Sequence, residues 1–111
     1  MIGSFYAYTV RDQYINQVST QVIINRDTVT IKGCNTLTAP IDFGSKTRFH
    51  IGAFTSTLRF CDLDQDGIVS DGLASSVRAV WQDELLVFYD ANGSETITIS
   101  FKDRFIGQYP D

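Results

Sequence analysis

The sequence is poor in the residues that catalysis and metal binding draw on most. It holds one histidine, two cysteines, one methionine and one tryptophan in 111 residues. Two cysteines and one histidine are too few for a structural zinc site without carboxylate help, and their spacing matches no zinc pattern. There is no glycine-rich phosphate loop, no His-Glu-x-x-His and no Gly-x-Ser-x-Gly elbow. Outside one acidic loop, paired carboxylates stand at Asp83-Glu84, where burial is not expected. The chain therefore reads as non-enzymatic. The enzyme alternative is a small hydrolase or isomerase built on His50, which requires a concave pocket holding that residue and a carboxylate. In a strand, however, His50 alternates with Phe49 and Ile51 and faces away from them.

Positive charge is also scarce. Nine Lys and Arg stand against thirteen Asp and Glu, a formal net charge of -4, and the cations form no run. Nucleic acid and anionic membrane surfaces are disfavoured as partners. No stretch approaches the roughly 20 apolar residues of a membrane-spanning helix. The N-terminus has neither a basic region with a following apolar run nor Gly at position 2, which argues against a signal peptide and against myristoylation. These absences predict a cytoplasmic or non-classically secreted protein, monomeric, without a transmembrane segment.

What remains is ordinary globular composition, 43% apolar and 20% charged, with no linker, repeat or low-complexity tract. One domain over 1–111 is expected. Strand-like runs dominate. Phe5 to Val10 is aromatic and β-branched. Val22-Ile23-Ile24 and Val29-Thr30-Ile31 flank Asn25-Arg26-Asp27-Thr28, which has hairpin-turn chemistry. Thr36 to Asp42 follows, with Pro40 suggesting an edge. Phe43-Gly44-Ser45-Lys46 reads as a turn, then Arg48 to Ile51 and Phe54 to Phe60 as strands broken by Gly52. Leu85 to Tyr89 and Thr96 to Phe101 flank Asn92-Gly93, the strongest hairpin dipeptide in the chain. Ile97, Ile99 and Phe101 alternate with Thr98 and Ser100, the pattern of a strand with one buried face.

One segment has another period. Val69, Leu73, Val77, Val80 and Trp81 form a stripe at helical spacing, which predicts a helix over 71–81. Ser70 is the candidate N-cap, and Asp71 complements the helix dipole. Trp81 is expected in the core, with ligand stacking as the alternative.

Three blocks in order resemble the META domain family, which includes HslJ-like bacterial envelope proteins and small kinetoplastid proteins. They are Gly33-Cys34-Asn35, the run Gly52-Ala53-Phe54-Thr55-Ser56-Thr57-Leu58-Arg59-Phe60-Cys61, and Leu85-Leu86-Val87-Phe88-Tyr89-Asp90-Ala91-Asn92-Gly93 with its following strand. Ile2-Gly3-Ser4-Phe5 is similar to the family's opening strand, with Phe5 where Trp is usual. The likeness covers nearly the whole chain. It departs from the family at Ala53, where proline is frequent, and in an Asp-rich loop inserted after Cys61. The resemblance implies a mainly β fold (α+β), a small antiparallel, barrel-like sheet with one helix against it. It also implies a stress- or virulence-associated binding role toward a protein partner, and it carries no catalytic residues.

Cys34 and Cys61 occupy the family's two cysteine positions. They pair if their strands are neighbours; in a reducing cytosol they stay buried thiols, the reading preferred without a leader sequence.

The inserted loop is the sharpest chemical signal. Calcium takes six to eight oxygens, which carboxylates at loop positions 1, 3 and 5, a glycine at 6 and a carbonyl at 7 can supply. Asp62, Asp64, Asp66, Gly67 and the Ile68 carbonyl fit those places. Position 12, normally a bidentate Glu, is Leu73, so Asp71 is the nearest last ligand. A weak calcium site is one reading of this loop. The other is a bare acidic turn ahead of a helix, which needs no metal.

Overall fold

A computed structural model describes residues 2–11, 13–14, 20–45, 48–57 and 65–101. These form ten strands and one helix: β1 Gly3–Val10, β2 Gln13–Tyr14, β3 Gln21–Ile24, β4 Thr28–Lys32, β5 Thr36–Phe43, β6 Phe49–Ile51, β7 Thr55–Ser56, α1 Gln65–Ala74, β8 Arg78–Gln82, β9 Leu85–Tyr89 and β10 Glu95–Ser100. The expected mainly β, antiparallel fold with one packed helix is what the chain adopts.

The strand order is β6-β5-β4-β3-β1-β10-β9-β8, with β2 on β1 and β7 on β5. Local turn chemistry makes most of these neighbours. Asn25 N–H donates to the Thr28 carbonyl at 2.8 Å and closes the β3–β4 hairpin, in which Ile24 faces Val29. The Asp90 carboxylate accepts the N–H groups of Asn92 and Ser94, each at 2.9 Å, and shapes the β9–β10 hairpin. A two-residue turn with Asp83 at φ 57° joins β8 to β9. Pro40 is near an edge, as expected, since β5 is second from the end of the strand order. It lies inside β5, between β4 and the β6/β7 side, where the neighbouring strand breaks between Ile51 and Thr55 and asks for no proline N–H.

Alternating residues of these strands build one core, with Phe5, Ile24, Ile31, Phe88, Ile97 and Ile99 almost wholly withdrawn from water. At about 1.5–3 kcal/mol for each fully buried large apolar side chain, this burial is the main force on the fold. β10 is covered on both faces: Thr98 and Ser100 are buried too, and Thr98 shares a 2.6 Å hydroxyl–hydroxyl hydrogen bond with Thr9.

The sheet curls until its two ends touch without closing. Arg48, just before β6, bridges Arg78 of β8, and Phe49 N–H donates to the Val77 carbonyl at 3.1 Å. Behind this seam the rings of Phe49 and Phe88 meet edge to face, centroids 5.7 Å apart.

The helix runs over Gln65–Ala74, six residues earlier than its apolar stripe predicts. Val69 and Leu73 are fully buried, but Val80 and Trp81 belong to β8. Serines end the helix. Ser75 Oγ donates to the Asp71 carbonyl at 2.9 Å and Ser76 Oγ to the Leu73 carbonyl at 2.6 Å, while the Val77 N–H, which a longer helix would give to Leu73, goes to the Tyr89 carbonyl at 2.8 Å. The β-branched Val77 and Val80 then favour the strand that pairs with β9. Ser70 is inside the helix rather than at its cap, its hydroxyl donating back to the Gly67 carbonyl at 2.9 Å. The helix packs on β1, β4 and β10. Approach is so close that a side chain at Gly72 would meet Ile97, Thr96 and Val10 at 3.3–3.4 Å.

Candidate functional site

The two ends of the curled sheet differ in kind. The helix covers the end where β1 finishes at Val10 and β10 begins. There the acidic segment does structural work. Asp66 stands in the first helical turn and is 5% exposed. Its Oδ2 accepts the backbone N–H of Asn35 at 2.7 Å. The carboxylate fills the space a Cβ on residue 33 would take, so Gly33 is the residue that admits it. Beside it, Gln65 Nε2 donates to Thr20 Oγ1, and Thr57 Oγ1 donates to Asn35 Oδ1 at 3.0 Å. The helix start is thus fastened to the β4–β5 turn and to the residue before β3.

This arrangement bears on the expected metal ligands one by one. Asp62 and Asp64 lie outside the described residues. Asp66 is buried and turned to Asn35. Ile68 is within the helix, not in a loop, and its side chain is 50% exposed. Asp71 is exposed on the same helix. Five residues separate it from Asp66, which is about 140° around the axis and about 7.5 Å along it. The structure does not bring Asp66, the Ile68 carbonyl and Asp71 together. Among the described residues no group of three His, Cys, Asp or Glu side chains is placed to hold a metal ion. From Gln65 onward the segment is helical, and the hydrogen bonds of Gln65 and Asp66 hold that helix start against the sheet.

Cys34 is disulfide-bonded. The sequence offers one possible partner within the chain, Cys61, which lies outside the described residues. The preference for free thiols is therefore corrected. Its premise was a reducing compartment, whereas pairing depends on whether the chain brings the sulfurs together. His50 is exposed on β6, opposite Asp42 on β5, and lines neither of the two clefts described here.

The other end of the sheet carries aromatic rings. Phe5 is fully buried, and over it Phe101 stacks at 4.8 Å between centroids with a 28° interplanar angle. Trp81 lies on Phe101 at 5.2 Å and 18° and reaches Phe5 at 6.0 Å. Trp81 is 44% exposed and Phe101 57% exposed, so the expectation of a core tryptophan is corrected. In β8 it shares the inward face with Ala79, but it is the last such residue before the Asp83-Glu84 turn, where the sheet ends and nothing inward remains to cover it. Trp81 and Phe101 wall an open cleft of about 340 Å³ with Asp83, Glu84 and Ser100. The lining is apolar rings with two carboxylates at the turn, the chemistry of a surface that takes an apolar group carrying positive charge. The signal for it was in the sequence: read as a strand, Arg78 to Gln82 runs straight into a polar dipeptide, leaving its last large residue at a sheet end.

No protein-family model, curated protein or solved structure matches this chain.

Proposed function

We propose that the chain is a non-catalytic binding domain of the META type that engages a protein partner through its Trp81–Phe101 face. The carrying observation is the stacked, half-exposed ring pair over buried Phe5. A tryptophan in the open loses burial energy that a core position would give, and large aromatics are the residues that most often anchor protein interfaces. The acidic turn at Asp83-Glu84 and the net charge of -4 favour a partner segment with Lys or Arg beside an apolar anchor. The META reading draws support from the Gly33-Cys34-Asn35 block, which forms the turn fastened by Asp66. A role in stress adaptation or virulence rests on that resemblance alone. The disulfide at Cys34 favours an oxidising compartment over residence in a reducing cytoplasm.

The test is a random peptide library displayed against the immobilised chain. Selected peptides should be rich in aromatic and basic residues and should bind W81A and F101A at least tenfold more weakly. Peptides that bind both variants as well as the parent chain would move the interaction face elsewhere.

A further inference from the structure

The seam where the curled sheet meets itself holds a charge arrangement that stability alone does not favour. Among the described residues, the bridge between the sheet's ends pairs Arg48 with Arg78. Residues directly opposite across an antiparallel bridge share a face, with Cβ atoms roughly 4.5–5.5 Å apart, and like charges so placed repel. Tyr89 continues the row on β9 and Glu95 on β10. The Arg78 guanidinium lies over the Tyr89 ring at 4.3 Å, which holds its side chain on that face. Neither arginine has a salt bridge among the described residues. Three carboxylates stand on neighbouring strands or turns, of which Asp90 lines the cleft. Asp90 has Oδ1 committed to the Asn92 and Ser94 amides, Asp42 is opposite His50 rather than Arg48, and Glu95 is separated from Arg78 by Tyr89. In a chain of net charge -4, two arginines stand opposite one another at a bridge that ties the sheet's ends. Both line an open cleft of about 410 Å³ whose far wall is the 90–93 turn.

We propose that this cleft binds a phosphoryl group, held between the Arg48 and Arg78 guanidiniums. A guanidinium presents parallel N–H donors that match two phosphate oxygens, and two arginines lining one cleft supply enough donors and charge for one doubly charged oxyanion. The bound anion replaces repulsion across the seam with attraction, so occupancy also strengthens closure of the sheet. The same chemistry is carried by free phosphate and by a phosphomonoester. This site is on the opposite side of β8 from the Trp81 ring and does not depend on the protein-binding reading.

The experiment is thermal melting of the full chain at pH 7 in phosphate-free buffer, titrated with inorganic phosphate or glycerol 3-phosphate against sodium chloride of equal ionic strength. Phosphorus NMR line broadening supplies the dissociation constant. The expected result is a rise in Tm of several degrees with phosphate beyond that with chloride, and binding at least tenfold weaker in R48Q and R78Q. R78K should retain part of the response, because it keeps the charge and loses the fork. Without phosphate, R48Q should melt higher than the parent, since it removes the like charge and leaves the backbone bridge. If R78Q misfolds, R48Q and R78K still carry the test. Tighter binding of glycerol 3-phosphate assigns the site to phosphomonoesters, and tighter binding of the inorganic ion assigns it to free phosphate. A Tm rise reproduced in full by chloride, or an undiminished response in R48Q, would overturn the proposal.

Discussion

The backbone amide of Asn35 donates to the carboxylate of Asp66 at 2.7 Å, across 31 residues of sequence. This bond places the start of the helix on the β4–β5 turn. The carboxylate reaches the amide because position 33 has no side chain.

Two substitutions should expose that dependence. Gly33→Ala puts a methyl group where the Asp66 carboxylate sits, and overpacking of this kind costs about 1–3 kcal/mol. Asp66→Ala leaves the Asn35 amide without its charged acceptor, also about 1–3 kcal/mol. Urea unfolding should show both, and the double variant should lose less than the sum of the two because they act on one contact. Fully additive losses would mean that Gly33 and Asp66 act separately.

Calcium should have little effect on this protein. Asp66 is occupied by Asn35, and Asp71 points to another side of the helix. Metal-stripped protein should melt within a degree of the same temperature with and without 5 mM calcium chloride, the higher concentration covering weak sites of roughly 0.1–1 mM affinity. A clear upward shift that chelator reverses would require the helix start to reopen into a loop.

Reduction should destabilise the chain markedly. Cys34 is disulfide-bonded, and a cross-link spanning the sequence to Cys61, the other cysteine in the sequence, has a chain-entropy contribution of about 3 kcal/mol. Dithiothreitol and the Cys34→Ser substitution should lower Tm by similar amounts and should not add to one another. Equal Tm in oxidised and reduced protein would show that the bond contributes nothing to stability in solution.

The aromatic end should be cheap to alter and easy to watch. Trp81 is the chain's one tryptophan, so its emission reports the cleft directly. Phe101→Ala removes a stacking partner worth about 0.5–1.5 kcal/mol and should shift Trp81 emission to the red. Phe5→Ala, beneath the pair and fully buried, should cost about 3–5 kcal/mol. A small loss at Phe5 together with a large one at Phe101 would invert the assignment of core and surface at this end.

Local signals in the sequence were enough for β1, β3, β4, β5, β9 and β10 and for the hairpins β3–β4 and β9–β10. Asn25 to Thr28 and Asp90 to Ser94 turn where their side chains and backbone predict, because a hairpin turn is decided within four or five residues. The alternation at Ile97 and Ile99 likewise placed β10 against the core. The helix was legible in kind but not in position. Val69 and Leu73 belong to it, while Val77, Val80 and Trp81 matched its period by coincidence. The choice between a longer helix and a strand fell to the pairing of Arg78–Gln82 with Leu85–Tyr89. The same limit applies to the sites. The acidic spacing did not show that the Asp66 carboxylate accepts a distant amide. Trp81 looked like a core residue until the sheet ended beside it. Arg48 and Arg78 are adjacent only because an eight-strand path curls back on itself. Secondary structure and turns follow from short-range sterics and periodicity, which one sequence displays. Which side chains meet across 30 residues depends on sheet curvature and burial summed over the whole chain, and that is decided by the tertiary fold.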